Sequence, residues 1–201
     1  SLPARVLGAG EGRRALDLCA APGGKTLQLA AAGWRVTALD ISNRRLDRLR
    51  ENLVRTKLAA DIVVADALEW EPDAPFEAIL LDAPCTATGT ARRHPDVLHR
   101  IGPRQISEMV ELQARLLQRA VRWLKAGGTL VYSVCSMERE EGEEQAPGIA
   151  LESDPIRPDE LPGWLNPTPE GWLRTDPGML AELGGMDGFF VARFRAGPPN
   201  G

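Results

Sequence analysis

The sequence predicts an α/β fold, a mostly parallel sheet with helices on both faces. Three observations predict it. Five apolar, β-rich runs alternate with helical patterns, the mark of parallel strands joined by crossover helices. Four of those runs carry an aspartate at or near the carboxyl end, Asp17, Asp40, Asp66 and Asp82, where open α/β sheets bind ligands. The first run also leads straight into a glycine turn, Gly23-Gly24, ahead of a helical segment.

The first run, Arg13 to Cys19, enters the loop CAAPGGKT, and a helix follows from near Lys25. Trp34 to Asp40 is the second run. The arginine-dense segment behind it, Asn43 to Lys57, reads as a helix with a solvated charged face. Ala60 to Asp66 and Phe76 to Asp82 are the third and fourth runs. The chain then turns through Pro84 into Cys85 and a second arginine-dense stretch, Ala91 to Arg104, read as a charged loop. The clearest helix comes next: Ile106, Met109, Val110, Leu116, Leu117, Ala120, Val121 and Leu124 fall on one face. KAGG, Lys125 to Gly128, is expected to stop it through a left-handed glycine. The fifth run, Gly128 to Val134, ends in Cys135, and Glu138 to Glu144 reads as a solvated helix entry. From Pro147 to Pro177 prolines are frequent and periodicity is weak, so irregular chain is expected, with one short helix near Gly148 to Glu152. Gly171 to Asp176 and Gly188 to Phe194 read as two closing strands, antiparallel to each other, with Phe189 and Phe190 in the sheet core.

At 201 residues, 43% hydrophobic and 26% charged, the chain has the length and composition of one globular domain, read as spanning 1–201. No apolar run approaches the roughly 20 residues of a bilayer span, so no membrane association is expected. The three cysteines, Cys19, Cys85 and Cys135, are an odd number without paired spacing, which argues against a disulfide framework. With only His94 and His99 beside them, no metal site is expected. A cytoplasmic, reducing location and a monomer follow as expectations. The net charge of -4 argues against holding nucleic acid by bulk electrostatics.

The loop after the first strand is not a Walker A loop, because Cys19 stands where that pattern needs its first glycine. Nor does it contain G-x-G-x-x-G. What remains is a glycine loop with Asp40 closing the second strand, where a carboxylate can accept from both hydroxyls of a ribose. Asp66 is placed to meet an adenine amino group. Each aspartate alone reads equally well as a cap or turn former; their repetition points to an adenosyl ligand. Nothing cradles a triphosphate, so that ligand is read as S-adenosyl-L-methionine. Its expected contacts are Cys19, Ala20, Ala21, Pro22, Gly23, Gly24 and Lys25 with Asp40, Arg45, Asp66 and Asp82. Cys19 is read as offering its backbone while its thiol is a buried small hydrophobe.

The stretches LDLCAAPGGKT, LLDAPCTATGTARRHPD, GGTLVYSVCS and DGFFVARF together resemble four successive signatures of the Sun/RsmB family of RNA cytosine-5 methyltransferases, from about Arg13 to Phe194. The resemblance implies a seven-stranded, Rossmann-like methyltransferase sheet whose last strand is antiparallel, in line with five runs plus two. It implies that 1–201 is a catalytic domain and that an RNA-binding domain upstream is absent from this chain. The RRHPD spelling and the EEGEEQ run resemble bacterial members that modify small-subunit ribosomal RNA. RNA is then the expected partner, met by Arg92, Arg93, Arg100 and Arg104, and S-adenosyl-L-homocysteine the expected product. Thr86 stands where the family usually has serine, and Val134 where it usually has threonine.

Carbon 5 of cytosine is a poor nucleophile. A thiolate adding to C6 makes C5 an enamine carbon that can attack a sulfonium methyl. Asp82, with a proton held by burial, suits the developing charge at N3, and a second thiol can assist release. Spacing does not say which cysteine attacks; the resemblance assigns attack to Cys135, release to Cys85, and a place near the pocket to Lys25. Cys135 also precedes a segment that could open a helix whose dipole favours a thiolate. Competing readings are a methyltransferase acting on tRNA, a small-molecule or protein methyltransferase, a catalytically idle RNA-binding module, and a DNA cytosine methyltransferase, which would leave Cys135 unexplained.

Overall fold

Alternation at period two sorts the side chains of each strand between two faces. The structure, a computed structural model describing residues 1–198, covers both. β1 (Arg14–Leu18), β2 (Arg35–Asp40), β3 (Asp61–Val64), β4 (Phe76–Asp82) and β5 (Leu124–Val134) are parallel, in the order β3-β2-β1-β4-β5. Leu16, Leu18, Ile79, Leu81, Leu130 and Tyr132 form one face with Leu116, Leu117, Ala120 and Trp123 of α5 (Pro103–Trp123). Ala15, Ala78, Leu80 and Val131 form the other, against α1 (Leu2–Arg5) and Leu29 of α2 (Gly24–Ala31). Beside them α3 (Asn43–Thr56) buries Leu46, Leu49 and Leu53 on Ala38. The Ser42 hydroxyl caps α3 by accepting from the Arg45 amide, as an N-cap serine does.

Where structure and expectation differ, tertiary pairing decides. α5 ends at Trp123, before KAGG, because Leu124 is already extended and pairs with Phe76. Lys125 to Gly128 then bulges out of the ladder, with Gly127 left-handed at φ 72°, and pairing resumes at Ala78 and Thr129. The charged stretch Ala91 to Arg104 is not all loop: it holds the short α4 (Val97–Arg100) and the first residues of α5. The short helix expected near Gly148 to Glu152 is a single 3-10 turn, Ala146–Gly148, followed by β6 (Glu152–Ser153). That segment finds a free sheet edge instead.

The edge belongs to β8 (Phe189–Arg195), which runs antiparallel to β5. β7 (Leu173–Thr175) pairs with its first half and β6 with its last two residues, both antiparallel. The seventh position of the sheet is thus filled by two short pieces, giving eight strands. Phe190 is fully buried among core residues, as alternation requires. Among the described residues, no helix is long and apolar enough to cross a membrane.

One charged side chain ties the closing strands to the start of the chain. Arg193 of β8, 6% exposed, donates to the Val6 carbonyl at 2.8 Å, to the Pro155 carbonyl at 3.1 Å and to Glu160 at 2.6 Å. Removing one member of a buried pair strands the rest without partners. Arg193→Ala should therefore lower unfolding free energy by about 3 kcal/mol in urea titrations. A loss under about 1 kcal/mol, the scale of an exposed pair, would contradict this role.

Candidate active site

The order β3-β2-β1-β4 reverses direction between β1 and β4, and a crevice opens there at the carboxyl ends of the strands. The loop after β1 forms one wall. Gly23 is left-handed at φ 101°, and a Cβ there would stand 2.5 Å from Leu49 Cδ1, so α3 packs directly on the loop. Gly24 has nothing within 4 Å of a Cβ position, leaving its backbone open to a ligand. Asp40 is buried; its Oδ2 accepts from the Ala21 amide at 3.0 Å and its Oδ1 from the Ser42 amide at 2.9 Å. Arg45 donates to the Ala21 carbonyl at 2.7 Å. Both residues therefore shape the loop first, while each Asp40 oxygen keeps a second lone pair. Asp66 Oδ1 accepts from the Leu68 amide at 2.8 Å. Cys19 is left-handed at φ 64°, and burial, then the charges of Asp40, Asp17 and Asp82, push its thiol up to about 12. It is inert as a nucleophile.

Two cavities meet at Cys19. One, about 290 Å³, is lined by Asp17, Ala20, Ala21, Pro22, Gly24, Lys25 and Asp82; the other, about 190 Å³, by Asp40, Ile41, Arg45, Asp66 and Pro84. Ile41 was not singled out from the sequence. It is a large apolar side chain 68% exposed beside Asp40, and its only signal was an apolar residue directly after a strand-end aspartate.

Parallel pairing sets Asp82 opposite Ser133, so the loops after β4 and β5 start side by side. Cys85 Sγ and Cys135 Sγ lie 3.4 Å apart, both partly buried. The Cys135 thiol is held below its ordinary value, mainly by a hydrogen bond from Cys85, with help from the Lys25 charge and against burial and Asp82. Cys85 is raised by the same hydrogen bond, by burial and by negative charge on Cys135, with Glu141 adding to it. These surroundings favour the thiolate form at Cys135 over Cys85. Lys25 Nζ donates to Asp82 Oδ2 at 2.6 Å, and Ser133 Oγ donates to Oδ1 at 2.7 Å. Asp82 thus meets an ammonium and a hydroxyl at a half-buried position.

The helix expected after Cys135 is absent: Ser136 to Gln145 runs through irregular chain and turns. The reason is Glu141. Expected in solvent, it is fully buried. Its carboxylate accepts from the Thr86 amide at 3.0 Å, the Thr86 hydroxyl, the Ser136 hydroxyl at 2.7 Å and Gln113 Nε2 at 2.7 Å. Gln113, on α5, also donates to the Pro84 carbonyl at 2.8 Å. Sequence gave no local sign of Glu141, one glutamate among several; the hydroxyls flanking both cysteines, Thr86 and Ser136, were the available hint of a shared acceptor.

The same loops close on β8. The Gly89 amide donates to the Cys135 carbonyl at 3.1 Å and the Gly188 amide to the Gly89 carbonyl at 2.8 Å. A Cβ on Gly89 would lie 2.1 Å from the Gly188 carbonyl oxygen, so only glycine fits. Val134, fully buried opposite Phe190, needs no hydroxyl. The four expected RNA contacts are engaged within the protein. Arg93 pairs with Asp187, which Arg92 approaches at 4.0 Å; Arg100 pairs with Asp96 at 2.5 Å and Arg104 with Glu108 at 2.8 Å. Among the described residues, no group of three or more His, Cys, Asp or Glu is placed to hold a metal ion.

A family model for the 16S rRNA methyltransferase RsmB/F matches residues 4–195. Curated relatives named ribosomal RNA small subunit methyltransferase B are similar along most of the chain. The one from Shewanella oneidensis is 38% identical over 183 residues, 89% of this chain and 42% of that protein. The one from Pseudomonas syringae is 38% identical over 200 residues, 96% of this chain and 44% of that protein. The chain therefore spans less than half the length of these relatives. The crystal structure of NSun6 from Pyrococcus horikoshii superposes with a TM-score of 0.82 at 29% identity, covering 96% of this chain and 50% of that one.

S-adenosyl-L-methionine is the cofactor of this class of enzyme, and the residues present fit it. Asp17, which lines the larger cavity, is fully buried, accepts from Thr26 Oγ1 at 2.5 Å, and leaves Oδ1 with no partner among the described residues. An amino group is the ligand such an acceptor fits. Burial pushes the Asp17 carboxyl up to about 7, against the Thr26 hydrogen bond. In the free protein this costs stability as pH rises: the unfolded chain ionises above about 4, the folded chain only near 7. An ammonium seated on Asp17 favours the ionised form, so cofactor affinity should climb from about pH 5.5 to about pH 7.5. Asp17→Asn should abolish that climb and weaken binding by about 1.5–3 kcal/mol. Calorimetry showing a pH-independent affinity in the unaltered protein would contradict the assignment.

Proposed function

The chain belongs to the 16S rRNA methyltransferase RsmB/F family, and from that premise we propose that it methylates C5 of a cytosine in small-subunit ribosomal RNA through a covalent bond to Cys135. The observation that carries this reading is the pair of sulfurs 3.4 Å apart beside the Lys25–Asp82 pair. A methyltransferase that acted on an already nucleophilic atom would have no use for two thiols in contact at its crevice. S-adenosyl-L-methionine, when bound, supplies the electrophilic methyl.

In this reading Cys135 Sγ adds to C6, and the electron pair displaced from the C5–C6 bond is delocalised toward N3. The Lys25–Asp82 pair offers a proton to N3 as charge builds there. A methyl supplied by bound S-adenosyl-L-methionine would pass to C5 as its bond to sulfur breaks, that electron pair staying on the sulfur of S-adenosyl-L-homocysteine, and N3 would return its proton to the Lys25–Asp82 pair. The C5 proton passes to solvent, and the C6–S bond breaks with its electron pair returning to Cys135. Cys85 stands within hydrogen-bond reach of that sulfur and eases its departure. The base must leave its stack for any of these steps, so unpaired RNA should react best. Arg92, Arg93, Arg100 and Arg104 are the proposed phosphate contacts. Exposed ion pairs such as Arg100–Asp96 are worth about 0–1 kcal/mol, so phosphate can replace their partners at little cost.

The roles separate the two cysteines experimentally. Cys85→Ala should accumulate a protein–RNA conjugate that survives denaturing electrophoresis. Cys135→Ala and the double variant should give neither conjugate nor methylated product. A conjugate with Cys135→Ala and none with Cys85→Ala would reverse the roles. Filter binding should fall steeply with salt, and replacing Arg92 and Arg93 by alanine should reduce that slope by about 2; an unchanged slope would move the RNA contact elsewhere.

A further inference from the structure

A buried carboxylate without a cationic partner is costly unless donors surround it. Glu141 is such a group: fully buried, in no ion pair among the described residues, and satisfied by neutral donors alone. Those donors are not scattered. Thr86 follows Cys85 and Ser136 follows Cys135, so the carboxylate binds the residue next to each thiol. Gln113 joins it from α5, holding the Pro84 carbonyl at the same time. Tyr132, buried on β5, donates to the Glu141 carbonyl at 2.6 Å and fixes the backbone that carries it. Glu141 itself lines neither cavity, so any role it has is exerted through the loops it holds.

We propose that Glu141 is a positioning residue for the thiol pair, its carboxylate drawing the two loops together so that Cys85 can hydrogen-bond Cys135 and keep it a thiolate. The proposal deepens the reading of Cys135 as nucleophile and rests on it. Its charge also sits on the side of Cys85, which disfavours a second thiolate there. The groups facing the pair come from every element packed around it. Lys25 from α2, Asp82 from β4 and Arg93 from the following loop face Cys135; Tyr132 from β5 and Glu141 face Cys85. Of these, Glu141 alone is bonded to both loops.

The test uses the whole chain without RNA. Iodoacetamide alkylation of each cysteine is followed by peptide mass spectrometry as a function of pH, and cofactor binding by calorimetry reports that the fold is intact. Glu141→Gln keeps the shape but loses the charge and one acceptor. Its Cys135 should alkylate about fivefold more slowly at pH 7, with the midpoint raised by about one pH unit. Cys85→Ala should raise the midpoint similarly, and the double variant should go no further, because both changes remove one hydrogen bond. Glu141→Asp, which retains the charge, should fall between. Should Glu141→Gln not fold, Thr86→Val removes a single donor and should shift the midpoint in the same direction by less. A Cys135 profile in Glu141→Gln or Thr86→Val that superimposes on that of the unaltered protein, or additive shifts in the double variant, would overturn the proposal. Because alkylation involves no RNA, a shifted midpoint in a protein that methylates no cytosine would leave the positioning role standing and remove the cytosine reading.

Discussion

The parallel register of β4 and β5 is the constraint on which the rest depends. It places Asp82 opposite Ser133, so two loops distant in sequence leave the sheet as neighbours. Parallel neighbours need a crossover, and α5 supplies it, burying Leu116, Leu117 and Ala120 on the sheet while Gln113 reaches the loops it has just connected. The same register puts Ser133 Oγ on Asp82 and leaves Lys25, at the start of α2, free to complete that pair. Fold and site are therefore one arrangement. Slipping β5 by one residue would turn Leu130 and Tyr132 out of the core and carry Cys135 away from Cys85.

Most of the fold was legible because it depends on period and punctuation. Apolar runs with an aspartate at or near the carboxyl end marked β1, β2, β3 and β4, and the loop after β1 declared itself by Gly23 and Gly24. Legibility failed where a segment's state is set by a distant partner. Leu124 continues a helical pattern, yet pairing with Phe76 draws it into a strand. Glu152 and Ser153 become a strand only because β8 offers an edge. The site divides in the same way. Cys85, Cys135, Lys25 and Asp82 stood in recognisable motifs, and the structure brings all four together. Glu141 did not, since a buried glutamate and a solvated one look alike in sequence until their donors are placed.

The crevice is electrostatically uneven in a way that suits its chemistry. Asp17, Asp40, Asp66 and Asp82 lie at or near the carboxyl ends of β1, β2, β3 and β4, whereas Arg92 and Arg93 follow Cys85 in the loop after β4, closed on Asp187. In the proposed reading a cationic sulfonium ligand meets the aspartates and a polyanionic substrate the arginines. Asp187 precedes Gly188, whose amide holds the Gly89 loop. The ion pair thus joins these arginines to the segment that carries the sulfurs.

The most direct test of covalent catalysis by Cys135 replaces the proton that must leave C5. Small-subunit ribosomal RNA transcribed with 5-fluorocytosine, mixed with the protein and S-adenosyl-L-methionine, keeps fluorine at C5 after methyl transfer, so the C6–S bond cannot be released by proton loss. Intact-mass measurement should show protein bearing methylated, fluorinated RNA, and digestion should place the linkage on the peptide containing Cys135. Linkage through Cys85, or methylated fluorinated RNA recovered free of protein, would contradict the account.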